Sequence, residues 1–277
     1  MTGRLAGRVA VVVGAGQTPG ANIGNGRATA ITFAREGASL VLVDRDVGRA
    51  EDTAAAIADE IGSGSAGRDA RAAVAVGVDI TDDDGPDRLV AVALEAFGRI
   101  DVLHNNVGVG VGAGDGPPHH LSDDAYDRIM DVNLRSMWRT CRAAVPVLRD
   151  SEHGAIVNVS SLAAVASAGN LTAYKLSKAG VNALTQNLAL TNAKYGVRAN
   201  AIMPGFVDTP MGVDSAAEQL GVDRDEYADR RARMVPLGRQ GSAWDVANAA
   251  LFLASDDAAW ITGVVLPVDG GQSSKLG

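Results

Sequence analysis

The sequence predicts one α/β domain, a doubly wound parallel sheet of about seven strands flanked by helices. Three observations indicate this fold. Apolar runs of strand length alternate with longer segments of helical periodicity. The runs are continuous in Val, Ile and Leu, which is typical of strands buried on both faces. No stretch rich in Pro, Gly and Ser divides the 277 residues, so we expect a single domain over residues 1–277.

Length and β-branched content identify the strands. The first, residues 8–14, carries four valines. The predicted strands cover residues 8–14, 39–43, 72–78, 100–105, 155–159, 197–202 and 264–268.

Helical spacing of apolar residues identifies the segments between the strands. In the longest of these segments, Ser122 is the expected N-cap, and Asp123 and Asp124 form an acidic first turn. The predicted helices cover residues 26–36, 47–61, 84–97, 122–148, 172–194 and 242–253.

Two segments do not fit this alternation, namely residues 108–118, which are rich in glycine, and residues 205–237, which add helical pattern. Both follow the carboxyl ends of predicted strands, where open α/β sheets bind ligands. We therefore expect binding loops at both places and a substrate lid at 205–237.

Composition excludes several classes of function. Lys and Arg total 25 against 33 Asp and Glu, a net charge of −8 with no basic run, so we expect neither a nucleic-acid partner nor a membrane surface. Cys141 is the single cysteine, and the four histidines lack metal-ligand spacing, so no metal site is expected. The sequence shows neither a signal peptide nor a run of 18 apolar residues, which predicts a cytoplasmic protein.

The first predicted strand leads into a loop with glycines at Gly14, Gly24 and Gly26, and a helix follows. Glycines at such a turn let the backbone approach a pyrophosphate, whose charge the helix N-terminus favours. Asp44 follows the second strand, and its carboxylate can accept hydrogen bonds from both ribose hydroxyls of NAD and would repel the 2′-phosphate of NADP. Arg45 beside it could serve NADP instead, so NAD is the favoured cofactor and NADP the alternative.

Further motifs follow in order along the chain. Tyr174 and Lys178 form a Tyr-x-x-x-Lys pair, and Ser161 lies thirteen residues before Tyr174. Residues 105–108 read Asn-Asn-Val-Gly, and residues 204–209 read Pro-Gly-Phe-Val-Asp-Thr. With these motifs the chain resembles the short-chain dehydrogenase/reductase family, the single-domain Rossmann-like oxidoreductases, over nearly its whole length.

The resemblance implies that Asn133, Ser161, Tyr174 and Lys178 are the catalytic residues. It also implies a cofactor site at the carboxyl ends of several strands, with residues 204–209 clamping the nicotinamide carboxamide and Asp79 contacting adenine. The expected cofactor-binding residues are Gly14, Gln17, Gly24, Asn25, Gly26, Asp44, Arg45, Asp79, Ile80, Asn106, Val107, Gly108, Tyr174, Lys178, Pro204, Gly205, Val207 and Thr209.

The chain departs from the family pattern in its glycine loop. Val13 replaces the usual threonine, and the stretch from Gly14 to Gly24 is six residues longer than in the family's Thr-Gly-x-x-x-Gly-x-Gly. The longer loop is a candidate to fold over the pyrophosphate or the adenosine. Enoyl-carrier-protein reductases in the wider family also have altered glycine loops, but they space the tyrosine and the lysine more widely.

The four implied catalytic residue types suit alcohol chemistry. Tyr174 and Lys178 lie on one helix face, and a neighbouring ammonium is expected to lower the phenol pKa from its usual value near 10. Tyr174 then exchanges the alcohol proton, Ser161 orients the substrate oxygen, and Asn133 holds a relay water. Ser160 is the alternative to Ser161, but neighbours at a strand end point to opposite faces.

The candidate pocket segments, residues 108–114, 162–168 and 206–213, are small or apolar apart from Asp208. They predict a neutral hydroxy or keto substrate, since a strongly anionic one would need an arginine fork. The alternatives are an NADPH-dependent ketoreductase and an NAD-binding sensor without turnover. A serine hydrolase is disfavoured because no Gly-x-Ser-x-Gly elbow occurs. The resemblance further implies a homo-oligomer, with a tetramer favoured, paired through residues 122–148 and 172–194.

Overall fold

The computed structural model describes residues 3–62, 73–110, 112–166 and 170–275. Seven parallel strands form one sheet in the order β3-β2-β1-β4-β5-β6-β7, which confirms the predicted doubly wound fold. The strands are β1 (Val9–Val13), β2 (Ser39–Asp44), β3 (Ala73–Gly77), β4 (Val102–Asn105), β5 (Ala155–Val159), β6 (Arg198–Pro204) and β7 (Val265–Val268). Residue 72, predicted to begin the third strand, lies outside the described residues.

Helices connect successive strands and cover both faces of the sheet. They are α1 (Asn25–Arg35), α2 (Val47–Gly62), α3 (Gly85–Phe97), α4 (Asp123–Met130), α5 (Ser136–Leu148), α6 (Thr172–Asn192), α7 (Ser215–Leu220), α8 (Arg224–Met234) and α9 (Ala243–Ala254). The extra helical pattern expected within residues 205–237 is therefore present, as α7 and α8.

The helix predicted over residues 122–148 contains a π-helical turn at Asp131–Arg135, which separates α4 from α5. Ser122 caps α4 as expected, because its hydroxyl accepts a hydrogen bond from the Ala125 N–H at 3.3 Å. A π turn inside a longer helix often marks a functional position, since it redirects the side chains that it carries.

The five central strands, β2, β1, β4, β5 and β6, are buried on both faces, which explains their continuous apolar runs, whereas the edge strands β3 and β7 are partly exposed. In β1, Ala10 and Val12 belong to the core on one side of the sheet, with residues of α1 and α9. Val11 and Val13 belong to the core on the other side, with residues of α3, α5 and α6.

The register of strand pairing shows which strand ends lie next to one another at the edge of the sheet. Val13 pairs with Asn105, and Asn105 pairs with Asn158, so β1, β4 and β5 reach one edge of the sheet together. The strand order reverses between β1 and β4, and the crevice outside that point is where doubly wound sheets bind ligands.

The single cysteine and one of the four histidines are buried. Cys141 is fully buried, and burial raises the pKa of its thiol to about 12. His104 is also fully buried, and burial lowers its pKa to about 4, so it is neutral near pH 7. Neither side chain is an exposed reactive group.

Within the described ranges, no helix combines the length and the apolar character needed to cross a membrane. The same part of the chain contains no group of three or more His, Cys, Asp or Glu residues placed to hold a metal ion.

Candidate active site

The glycine loop forms a cradle between β1 and α1. Gly14 has φ +80°, a conformation that favours glycine, and a Cβ at Gly26 would collide with the Gly14 carbonyl. Gly24 precedes α1 and offers no side-chain cap, so the first N–H groups of the helix have no capping side chain. The Asn25 Oδ1 atom is buried without a hydrogen-bond partner in the described structure. The glycine conformations and the uncapped N–H groups of α1 fit a bound pyrophosphate.

The side chain of Gln17, an expected cofactor contact, is hydrogen-bonded within its own loop. Its amide nitrogen donates to the carbonyls of Thr18 and Asn22, both at 2.9 Å, and its Oε1 accepts from the Gly24 N–H at 2.9 Å. The side chain therefore holds the lengthened loop in shape.

The acidic residues after β2 and β3 occupy the expected positions. Asp44 accepts hydrogen bonds from the N–H groups of Gly16 at 3.0 Å and Asp46 at 3.1 Å, and its carboxylate retains acceptor capacity. Arg45 is exposed beside it. Burial acts to raise the pKa of Asp79, but hydrogen bonds from Thr81 outweigh it, so the pKa is lowered.

The residues after β4 pack against the glycine loop and the catalytic candidates. Asn106 Nδ2 donates to the Gly14 carbonyl at 3.2 Å. A Cβ at Gly108 would lie 3.2 Å from Lys178 Nζ and 3.3 Å from Asn133 Oδ1, so both polar atoms adjoin this glycine.

Three of the four predicted catalytic side chains lie together at the carboxyl end of β5. The Ser161 hydroxyl lies near the Tyr174 phenol and acts to lower the phenol pKa. Lys178 Nζ lies 5.8 Å from the centre of the Tyr174 ring and donates to the Val159 carbonyl at 3.0 Å. Lys178 is 3% exposed, whereas Tyr174 is partly exposed.

Asn133, the fourth residue, lies in the π turn and holds the loop after β4. Its Nδ2 donates to the Val109 carbonyl at 3.0 Å and to Ser177 Oγ at 3.1 Å. Its Oδ1 accepts from the Val109 N–H at 2.7 Å.

The pKa values differ from the expectation that Lys178 lowers that of Tyr174. Burial raises the pKa of the Tyr174 phenol above its ordinary value, and the nearby Ser161 hydroxyl acts in the opposite direction. Burial also lowers the pKa of Lys178 to about 8. The expectation was wrong for this structure because burial disfavours the charged form of both groups, the phenolate of Tyr174 and the ammonium of Lys178.

Ser160 is excluded as the alternative to Ser161 in this arrangement. It is 3% exposed, and its hydroxyl donates to the Lys178 carbonyl at 3.1 Å, which directs it into helix α6. The two serines therefore point to opposite sides, as their neighbouring positions at the strand end predict.

The segment after β6 turns along the same edge of the sheet. The Gly205 N–H donates to the Val268 carbonyl at 3.0 Å, and Val207 forms a parallel bridge with Gly241. Thr209 Oγ1 accepts from the Gly212 N–H at 3.2 Å and caps the π turn that leads into α7.

Two carboxylates that organise the site lie outside the motifs used to predict it. Asp115 accepts hydrogen bonds from the first turn of α6, and Asp214 accepts one from Ala21 in the glycine loop. One signal for Asp115 was available, because Leu171 immediately before α6 cannot cap that helix. His119 and His120, two of the four histidines, are exposed.

Comparison with known proteins decides the family. A family model described as enoyl-(acyl carrier protein) reductase matches residues 20–273. Levodione reductase of Leifsonia aquatica is 33% identical over 274 residues, which cover 99% of this chain and 97% of that protein. The chain belongs to the short-chain dehydrogenase/reductase family.

Other members of the short-chain dehydrogenase/reductase family match over comparable lengths. The 2,5-dichloro-2,5-cyclohexadiene-1,4-diol dehydrogenase LinX of Sphingobium indicum is 35% identical over 273 residues, 99% of either chain. The crystal structure of levodione reductase superposes with a TM-score of 0.89 at 31% identity and covers 98% of this chain and 100% of that one. Members of this family are oxidoreductases that use a nicotinamide cofactor.

Proposed function

We propose that this protein is an NAD-dependent oxidoreductase that interconverts a secondary alcohol and a ketone. The observation that supports the proposal is the grouping of the Tyr174 phenol, the Ser161 hydroxyl and the Lys178 amine at the carboxyl edge of the sheet. The names of the relatives agree with it, since they include a reductase of levodione and a dehydrogenase of a cyclic diol.

The cofactor would lie across the strand-order reversal. The loop of Gly14, Gly24 and Gly26 would hold the pyrophosphate, and the residues after β4 and β6 would hold the nicotinamide side. Asp44 at the end of β2 favours NAD, because a carboxylate accepts from ribose hydroxyls and repels a 2′-phosphate. NADP is the alternative cofactor, because the exposed Arg45 could pair with its 2′-phosphate.

Side chains of the protein carry out the proton transfer. A bound nicotinamide dinucleotide supplies the hydride acceptor for alcohol oxidation and the donor for ketone reduction. In its phenolate form Tyr174 Oη takes the alcohol proton during oxidation, and in its phenol form it returns the proton to the ketone oxygen during reduction, while the Ser161 hydroxyl orients that oxygen. Asn133 Oδ1 accepts one hydrogen bond and can accept a second from a relay water.

The substrate is proposed to be neutral. The one charge noted in the pocket segments, Asp208, is paired with Arg224 at 2.6 Å, so it does not present a free carboxylate. Around the phenol the surroundings are small and apolar, since a Cβ at Gly110 would lie 3.8 Å from the Tyr174 ring and 3.9 Å from Met211 Sδ. Residues 111 and 167–168 of the predicted pocket segments lie outside the described residues.

The segment 205–237 is proposed as the substrate lid within one oxidoreductase domain. Its helix α7 reaches the loop after β4, where the side chain of Gln219 covers Gly112. This contact is what supports a lid over the same cleft. The cytoplasmic location and the homotetramer remain predictions.

The test is an activity screen in both directions with NAD(H) and NADP(H), followed by Tyr174→Phe. We expect turnover with cyclic and aliphatic secondary alcohols or their ketones, faster with NAD(H). Tyr174→Phe should lower kcat by at least about a thousandfold, because the proton donor is lost, and leave the NAD dissociation constant within about twofold.

The screen also separates the alternatives. A crotonyl thioester covers the enoyl reduction named by the family model. Tight NAD binding with no turnover of any compound would favour the sensor, and unchanged kcat in Tyr174→Phe would refute the proposed base. Lys175→Met, on the same helix, is the matched control and should retain activity.

A further inference from the structure

Helix α6 begins at Thr172 without a cap from its own sequence. Leu171 occupies the capping position, and its side chain cannot accept a hydrogen bond. The N–H groups that an N-cap side chain normally accepts are those of the second and third helical residues, here Ala173 and Tyr174. The helix that carries the proposed base therefore needs an acceptor from elsewhere.

Asp115 supplies that acceptor from the loop after β4. Its Oδ1 accepts from the Ala173 N–H at 3.0 Å, and its Oδ2 accepts from the Tyr174 N–H at 2.8 Å. Oδ1 also accepts from the Gly116 N–H at 2.9 Å, which fixes the carboxylate within its own loop. A carboxylate at a helix N-terminus is favoured both by charge-assisted hydrogen bonding and by the helix dipole.

The same loop is attached to the site at two earlier points. Val109 exchanges two hydrogen bonds with Asn133, and the Ala113 carbonyl accepts a hydrogen bond from the Arg128 guanidinium. Ala113 also packs with Ala173. Between these attachments, Gly110 lies against the Tyr174 ring. Asp115 adds the polar attachment to the backbone of Tyr174 itself.

We propose that Asp115 is a positioning residue, which attaches the loop after β4 to the backbone of Tyr174. The loop forms one wall of the cleft, so its attachment fixes the distance between the wall and the base. A capping side chain at position 171, in place of leucine, would stabilise α6 equally but would leave the loop after β4 unattached. The kinetic part of this inference rests on the proposed function, whereas the attachment itself does not.

The first test is hydrogen exchange in the ligand-free protein. In Asp115→Ala, the amides of Ala173 and Tyr174 and those of residues 112–116 should exchange about fivefold faster, as expected for the loss of one hydrogen bond. Adding Leu171→Asp restores a local cap. In this double variant, protection should return at Ala173 and Tyr174 but not in the loop.

The second test is kinetic and uses the best ketone found in the screen. Asp115→Ala should lower kcat/KM about tenfold to a hundredfold, because the wall and the base lose their relative position. The double variant should recover its melting temperature but not its kcat/KM. Asp115→Asn, which keeps the shape and one acceptor, should fall between wild type and Asp115→Ala, and it replaces Asp115→Ala if that variant does not fold.

Asp245→Ala is the matched control. Its carboxylate accepts from the Ser242 N–H at 2.7 Å at the start of α9, so the variant also removes a carboxylate from a helix N-terminus, but away from Tyr174. It should lose stability without a matching loss of kcat/KM. The proposal is overturned if Leu171→Asp restores both loop protection and kcat/KM, since Asp115 would then be only a helix cap.

Unchanged loop exchange in Asp115→Ala would also overturn it. A wild-type protein that reduces no ketone refutes the proposed function instead. In that case the exchange measurement still decides whether Asp115 attaches the loop.

Discussion

Lys178 is a buried amine beside the proposed base, and its pKa makes stability depend on pH. Burial lowers the pKa from the ordinary 10.5 to about 8, so between these values the unfolded chain binds more protons than the folded one. Stability from this group therefore rises with pH across that window. The cost of its charge is fully present below pH 8 and absent above 10.5.

Lys178→Met removes this dependence. Relative to the variant, the wild-type free energy of unfolding should rise by about 3 kcal/mol from pH 7 to pH 11, since each unit of pKa difference is worth about 1.4 kcal/mol. Urea unfolding of the ligand-free proteins measures it. Lys175→Met corrects for the loss of a lysine that lies partly in solvent. Parallel pH profiles for wild type and Lys178→Met would show that the pKa is not depressed.

The lengthened glycine loop and the proposed lid contact each other directly. The Ala21 N–H donates to Asp214 Oδ1 at 2.9 Å, and a Cβ at Gly20 would lie 2.8 Å from the Pro210 ring. Asp214 also lies 3.6 Å from the Arg224 guanidinium, which pairs with Asp208. The extra residues of this loop thus extend the cofactor cradle to the segment that begins the lid.

Asp214→Ala should weaken NAD binding although Asp214 is not among the expected cofactor contacts. The loss of one hydrogen bond to the loop is worth about 1 kcal/mol, which corresponds to a fivefold rise in the dissociation constant. Asp214→Asn retains Oδ1 and should stay within about twofold, because the partly exposed pairing with Arg224 contributes little. Calorimetric titration with NAD measures both. Equal affinity of wild type and Asp214→Ala would mean that the contact does not order the loop.

These elements also show which features of the fold and the site can be predicted from the sequence. The central strands were predictable because burial on both faces leaves a continuous apolar signature, and the proximity of Tyr174, Lys178 and Ser161 was predictable because their spacing matches the motif of the family that the chain resembles. Asp115 and Asp214 were not, because each acts on backbone N–H groups far away in the sequence, 59 residues in the case of Tyr174. Such contacts depend on loop paths that neither periodicity nor spacing encodes.

Gln17 shows a second limit. Its place in the glycine loop predicts a cofactor contact, and the structure adds internal hydrogen bonds that this loop, six residues longer than the family pattern, needs. A backbone polar group without a hydrogen bond costs free energy, and the Gln17 amide satisfies three such groups of the loop. The sequence shows the insertion but not which side chain stabilises it.

At the scale of the whole molecule, the helices proposed to pair subunits carry exposed apolar side chains. Leu190 on α6 is 80% exposed, and Trp138 on α5 is 44% exposed. Apolar residues on such faces are typical of surfaces that a partner covers. We propose that a second copy of the chain covers them, as the homotetramer predicted by the family resemblance requires.

Charges on these faces should therefore dissociate the assembly. Stable interfaces bury about 1,600 Å² in total, and an unpaired carboxylate at their centre costs several kcal/mol. Light scattering should show a tetramer for wild type and a smaller species for the double variant Trp138→Glu/Leu190→Glu. Leu94→Glu, at a 40% exposed leucine on α3, is the matched control and should leave the mass unchanged. A monomeric wild type at micromolar concentration would refute the tetramer, and an unchanged mass in the double variant would place the subunit contacts on other faces.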